Sequence, residues 1–283
     1  MREPEDVAAA AQLACLLEVS APKPGNVSPG HHFHDARYED FLASAVAIGP
    51  ALAGAGRAPL GSSIRAAVEA TARWTGSNTN LGIVLLLAPL ARAALRGTLP
   101  LREAVREVLA ATTVADAAEV YAAIRRARPG GLGAVAGEDV AGPPGVTLQA
   151  AMGLATDRDS IAREYVTDFA VTFEVGAPAL RAARHADLDW SDAVVEAYLR
   201  LLAAVPDTHI ARKLGRAAAD AVSRRAAEVE QAGGVRTGAG REALATFDAE
   251  LRSPDNSRNP GTTADLTCAA LFVVILEGSW HHH

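Results

Sequence analysis

Apolar residues recur along this chain every three or four positions, with charged residues between them, and that spacing predicts helices rather than strands. Helices are expected near 4–19, 38–55, 62–75, 80–96, 100–111, 113–128, 147–154, 158–175, 190–204, 207–232, 239–252 and 262–277. Capping residues support several starts. Asp157 and Asp159 precede 160–175, Ser191 and Asp192 open the next helix, and Thr262 or Thr263 heads the last. The runs 81–95 and 268–276 are apolar nearly all round and predict central buried helices. Ser20 to Arg37, and Arg128 to Val146 with its many Gly and Pro residues, read as loops. No alternating stretch longer than four residues suggests a strand, and no repeat or linker divides the chain. The expectation is an all-α fold, a single multi-helix domain over 1–278, with 279–283 set aside as a tag remnant.

Composition narrows the function classes. With 283 residues, 49% of them hydrophobic, the chain can bury a sizeable core. A formal net charge of -6 leaves no basic excess for a nucleic-acid backbone. Cys15 and Cys268 sit inside apolar runs and read as buried thiols in a reducing compartment. The first residues lack the basic start and apolar core of a signal peptide. The run 81–95 is interrupted by Pro89 and Arg92 and falls short of the ~18–20 residues of a membrane span. These features point to a cytoplasmic protein with no membrane partner, and a homodimer is compatible with them.

The rare residues locate the chemistry. There are two lysines, Lys23 and Lys213, against 25 arginines, so a lysine here marks a place where arginine does not serve equally well. The five asparagines are Asn26, Asn78, Asn80, Asn256 and Asn259. All seven residues fall in four short segments. In the first, two prolines bracket Lys23 and Gly25 permits a turn before Asn26, a rigid loop suited to a phosphate or a ribose. It runs into His31-His32-Phe33-His34-Asp35, a zinc-like grouping without a distant Cys/His set to complete it; His34 or Asp35 suits a base or a phosphate contact better. The second, Thr75-Gly-Ser-Asn-Thr-Asn-Leu-Gly82, directly precedes an apolar helix and is either an anion site or a capping turn. The third, Pro206 to Gly215, sets His209, Lys213 and Arg216 on one helix face, with Asp207 at its start. The fourth, Ser253 to Leu266, repeats the second's layout and ends with Asp265 in the first turn of the last helix. Together the second and fourth suggest a double anion cradle. Asp116 and Glu119 share a face, and Asp168 and Glu174 lie in an apolar stretch that would need a partner or a metal. A lysine-poor chain that binds phosphates calls for magnesium.

The motifs Pro22-Lys23-Pro24-Gly25, His34-Asp35, Gly76-x-Asn78-Thr79, Asp207-Thr208 and Pro260-Gly261-x-x-Ala264-Asp265-Leu266 resemble, in order, those of the triphosphoribosyl-dephospho-CoA synthase family, over roughly residues 15–277. The resemblance implies an all-helical fold. It also implies transfer of a 5-triphosphoribosyl group from ATP to the ribose 2'-hydroxyl of 3'-dephospho-CoA, with release of adenine. The product of that family is a prosthetic-group precursor for citrate or malonate decarboxylating enzymes. On this basis Lys23, Gly25, Asn26, Asn78, Thr79, Lys213, Asn259, Gly261 and Thr262 are expected on ATP and its phosphates. Asp207 and Asp265 are expected to hold Mg²⁺, His34 or Asp35 to act as base, and Asp168 to be a further catalytic or metal-holding carboxylate. Asn80-Leu81 stands where the family has His-Lys, His209 where it has Asn, Lys213 where it has Arg, and Asn259 where it has Ser. These changes suggest a distinct branch, whose acceptor is dephospho-CoA or a tetrahydromethanopterin-type precursor. A Mg²⁺-dependent N-glycoside hydrolase and a non-catalytic nucleotide-binding protein are the rival readings.

Overall fold

The structure is a computed structural model that describes residues 2–97, 99–129 and 140–278. Among these the fold is all-α, as expected; the only extended pairing is an isolated bridge between Ser28 and His31. In chain order the helices are α1 (Pro4–Ser20), α2 (Tyr38–Ala47), α3 (Gly49–Ala53), α4 (Leu60–Thr71), α5 (Leu81–Arg96), α6 (Leu101–Ala110), α7 (Val114–Ala127), α8 (Leu148–Gly153), α9 (Ser160–Val166), α10 (Ala177–His185), α11 (Trp190–Ala204), α12 (Thr208–Leu214), α13 (Arg216–Gln231), α14 (Gly238–Leu251) and α15 (Gly261–Leu276). The expectation of one domain over 1–278 meets a chain whose contacts group into two compact units. Unit 1 comprises Met1–Cys15 and Glu39–Phe169; unit 2 comprises Leu16–Tyr38 and Ala170–His283. Residues 279–283, expected to be a tag remnant, and most of the second expected loop lie outside the described residues.

In unit 1, α5 is buried along nearly its whole length and packs against α4, α6, α3 and α9, while α7 lies on α4. Its proline has a partner built for it. Pro89 lacks the N–H that would bond the carbonyl of Leu85, four residues back, and the buried Tyr165 hydroxyl donates to that carbonyl at 2.7 Å instead. Pro50 does the same to Val46, and the freed carbonyl accepts from Gln12 Nε2 at 2.8 Å. This proline is why the expected helix 38–55 divides into α2 and α3. The arginine of the apolar run, Arg92, donates to the carbonyls of Ala55, within the short 3-10 turn Gly54–Gly56, and of Ala58, just after it. Asp116 closes a capping box with Thr113 and also accepts from Gly61 N at 2.8 Å, tying α7 to α4. Glu119 pairs with Arg65. These two carboxylates are therefore structural.

In unit 2, α15 is the central buried helix, packed by α10, α11 and α12; α13 and α14 build outward from α11. The expected helix 158–175 is interrupted: Asp168 and Phe169 both adopt the left-handed region (φ 53° and 58°), a π-helical turn follows at Thr172–Gly176, and α10, absent from the sequence-based expectation, continues from it. Gly176 allows that turn to press on α15, since a Cβ there would stand 2.7 Å from the Ala270 Cβ. The expected helix 207–232 is divided at Gly215, whose φ of 88° no helix accommodates. Both cysteines are buried, and no disulfide joins them. No single helix among the described residues is long and apolar enough to cross a membrane.

Candidate active site

The Pro22–Val27 loop does not present its lysine to a ligand. Lys23 is 1% exposed, and its ammonium lies 3.0 Å from the buried carboxylate of Glu18 while donating to the carbonyls of Glu18 and Ala21. Burial pushes the Glu18 carboxyl up, and Lys23 beside it offsets part of that shift. The rest of the loop is bolted down from two helices of unit 2. Tyr198 of α11 donates to the Pro24 carbonyl and accepts from Asn26 Nδ2, each at 2.8 Å. Gly25 N donates to Asp248 Oδ1 of α14 at 2.8 Å, and Arg252 clasps the same Asp248 carboxylate. Gly25 sits at φ 74° with Leu251 directly beneath, where a Cβ would approach to 2.8 Å. The phosphate role expected for Lys23, Gly25 and Asn26 is therefore replaced by an internal one: a lysine survives here because a compact ammonium fits a closed carboxylate-and-carbonyl cage.

The α15 turn also differs from the expected anion cradle, because the protein supplies its own anion. Asp207 is the N-cap of α12, its Oδ1 accepting from His209 N at 2.8 Å and Ile210 N at 3.0 Å. Its Oδ2 accepts from Thr263 N at 2.7 Å and Thr263 Oγ1 at 2.8 Å, in the first turn of α15. One buried carboxylate thus closes two helix starts. Burial pushes the Asp207 carboxyl up, and the donors around it pull it back. Gly261 N bonds the Asn259 carbonyl, and Thr262 accepts from the Thr208 hydroxyl. Asp207 does not fit a magnesium ion, since both oxygens are already fully bonded. Asp265 is part-exposed in the same turn, and among the described residues no group of three His, Cys, Asp or Glu side chains is placed to hold a metal.

What unit 2 does bring together is a cluster around Asn256, a left-handed residue (φ 52°). Its carbonyl accepts from Lys213 Nζ at 3.4 Å and from Asn259 N at 3.3 Å; its side-chain amide lies 3.1 Å from His34 Nδ1. An amide nitrogen only donates, so Nδ1 is the acceptor in this contact and Nε2 is left outside it. His34 and Asp35 are 64% and 63% exposed, with 3.8 Å between Nδ1 and Oδ1. Beside them, His209 and Asn259 flank Gly261: a Cβ on Gly261 would stand 3.5 Å from His209 Nδ1 and 3.5 Å from Asn259 Nδ2. Burial, with Lys213 and Arg212 adding to it, lowers the His209 pKa to about 4, so the ring is neutral at physiological pH. The buried atoms His209 Nε2 and Asn259 Oδ1 have no hydrogen-bond partner.

The remaining expected residues belong to unit 1. Asn78 Oδ1 caps α5 through Leu81 N at 3.1 Å, Thr79 is buried with its hydroxyl on Ser44 Oγ at 2.5 Å, and Asn80 Nδ2 donates to Thr71. This is the capping-turn reading of the segment. Asp168 pairs with Arg106 at 2.8 Å and its carbonyl accepts from Arg102, so it braces the left-handed break instead of lying inside a buried helix. Sequence reasoning missed Asn256 as the centre of the cluster and Glu18, Tyr198 and Asp248 as the partners of the loop. The clustering of asparagines signalled the first; nothing local signalled the others.

Comparison with known proteins identifies the family. The family model described as CitG: ATP:dephospho-CoA triphosphoribosyl transferase matches residues 4–283. No curated protein matches the chain. The crystal structure of an Archaeoglobus fulgidus protein that carries the provisional name triphosphoribosyl-dephospho-CoA synthase superposes with a TM-score of 0.65 at 29% identity, covering 85% of this chain and 100% of that one. The chain therefore belongs to the CitG family of ATP:dephospho-CoA triphosphoribosyl transferases and is a transferase.

Proposed function

We propose that the chain transfers the 5-triphosphoribosyl group of ATP to a hydroxyl of 3'-dephospho-CoA or a closely related acceptor, and that the Asn256-centred face of unit 2 carries this chemistry. The observation that carries the proposal is the meeting, in a chain of this family, of an exposed cation (Lys213) and an exposed His34–Asp35 pair at Asn256, with His209 and Asn259, which hold two partnerless polar atoms, flanking nearby Gly261. In the reaction the C1'–N9 bond of ATP breaks with its electron pair passing to adenine. The acceptor oxygen bonds C1', and its proton ends on the released base. The transition state has oxocarbenium character, so weak assistance to the hydroxyl suffices once the groups are held in line. Asp35 is the base on this reading, and His34 donates from Nε2 to a phosphate or acceptor oxygen. Lys213 holds triphosphate charge. Magnesium enters with the nucleotide as its counter-ion, and no protein ligand set is assigned to it.

Incubation with ATP and Mg²⁺, with and without acceptor, tests the reading by measuring adenine. Release that requires dephospho-CoA, or a ribosylated pterin precursor in its place, supports the transferase, and the ratio of the two rates identifies the acceptor. Release without any acceptor would make the protein a hydrolase, and binding of ATP without release would make it a nucleotide-binding protein.

A further inference from the structure

We propose that His209 and Asn259 form the subsite for the adenine base of ATP, gripping its amino-bearing edge and so selecting a 6-aminopurine as the leaving group. This rests on the transferase reading above. Two atoms carry it: His209 Nε2, on α12, and Asn259 Oδ1, in the turn before α15, are buried and lack any hydrogen-bond partner. A buried polar atom without a partner is costly, and these two belong to side chains whose other nitrogens, His209 Nδ1 and Asn259 Nδ2, both flank Gly261, so the two side chains together mark a place that a ligand completes.

The chemistry of the two atoms decides what that ligand presents. Asn259 Oδ1 is an acceptor and requires an N–H or O–H. A triphosphate oxygen, itself an acceptor, is repelled there. The neutral imidazole adds no positive charge toward a phosphate; it offers one hydrogen bond. Two amides of the turn are already taken, since Gly261 N bonds Asn259 O and Thr263 N bonds Asp207. The complement is a flat, uncharged edge with an amino donor next to a ring nitrogen, which in ATP is the 6-amino group with N1 or N7. Lys213, one helical turn after His209, leaves the cationic end of the cluster to the triphosphate. Asp207 sets the spacing of the subsite, because the same carboxylate holds His209 N and Thr263 N. His209 and Asn259 thus act on the group that departs: a base held by its edge is oriented for loss from C1', and a hydrogen bond to its ring nitrogen helps it accept the electron pair.

The test is discrimination between ATP and ITP, which carries a 6-oxo acceptor and an N1–H in place of the amino edge. Equilibrium binding of each Mg²⁺-nucleotide to the full chain is measured first, so the result does not depend on an acceptor or on turnover. Wild type should favour ATP by about tenfold or more, because ITP sets its O6 against Asn259 Oδ1. Asn259→Ala should bring the ratio near one while weakening ATP, with the thermal midpoint confirming a folded protein. His209→Ala, a second and independent variant, should also reduce the ratio. An unchanged ATP/ITP ratio in folded Asn259→Ala and His209→Ala proteins, a ratio near one in the wild type, or no ATP binding overturns the subsite. Loss of acceptor-dependent adenine release with the ratio intact would instead count against the transferase reading alone.

Discussion

Asp207 and Lys23 are each 1% exposed and enclosed by their own protein, Asp207 between two helix starts and Lys23 by Glu18 and Ala21 just before it. Asp207 accepts four hydrogen bonds from two helix starts. Asp207→Asn turns one acceptor into an amide donor facing Thr263, so stability should fall by about 2–4 kcal/mol in urea unfolding, while the Mg²⁺ dependence of activity stays where it is. A shift in the magnesium requirement would restore Asp207 as a ligand. Lys23→Ala leaves Glu18 buried and unpaired, at a cost of about 3–5 kcal/mol, and Glu18→Gln with Lys23→Met should recover much of it. His209 supplies a pH signature. Its pKa is lowered in the folded state from the ordinary value of 6.5 to about 4. As pH falls through that window, the unfolded chain takes up a proton that the folded one refuses. Stability is therefore present above the unfolded value and is lost on acidification, by roughly 3 kcal/mol between pH 7 and 4. His209→Gln should flatten that part of the stability–pH curve; an unaltered curve would show that other groups cause it.

At the scale of elements, prolines and left-handed residues decide where helices stop, and side chains elsewhere repair the damage. Pro89 keeps α5 intact because Tyr165 covers the Leu85 carbonyl. Tyr165→Phe should destabilise by about 1–3 kcal/mol, and Pro89→Ala in the same chain should recover part of it by returning an N–H to that carbonyl. Strictly additive effects in this double-mutant cycle would refute the coupling. Helix positions were legible in the sequence because the 3.6-residue spacing of Leu, Val and Ala is local. The π-helical turn at Thr172–Gly176 and the start of α10 were not, because Asp168 and Phe169 are residues with no intrinsic need for φ above zero. Arg102 and Arg106, more than 60 residues earlier, hold that break.

For the molecule as a whole, a net charge of -6 bears on a tetra-anionic substrate. ATP binding should weaken when magnesium is chelated, and the loss should be larger at low salt, where the repulsion is least screened. Equal affinity with and without chelator would mean that local cations such as Lys213 suffice alone.

The amino-acid sequence by itself determined an all-α fold, the burial of 81–95 and 268–276 and the four segments in which the polar chemistry gathers. Each of these is written in spacing and composition within a few turns of helix. Only the tertiary structure decided which of those polar residues face inward. Asn26 meets Tyr198 across 172 residues and Asp207 meets Thr263 across 56, so Lys-Pro-Gly-Asn and Asp-Thr became anchors. His209 and Asn259 were left with open hydrogen-bonding capacity. The physical reason is that a polar side chain's role is set by whatever donor or acceptor the folded chain places within about 3 Å of it, and neighbours in sequence do not specify that.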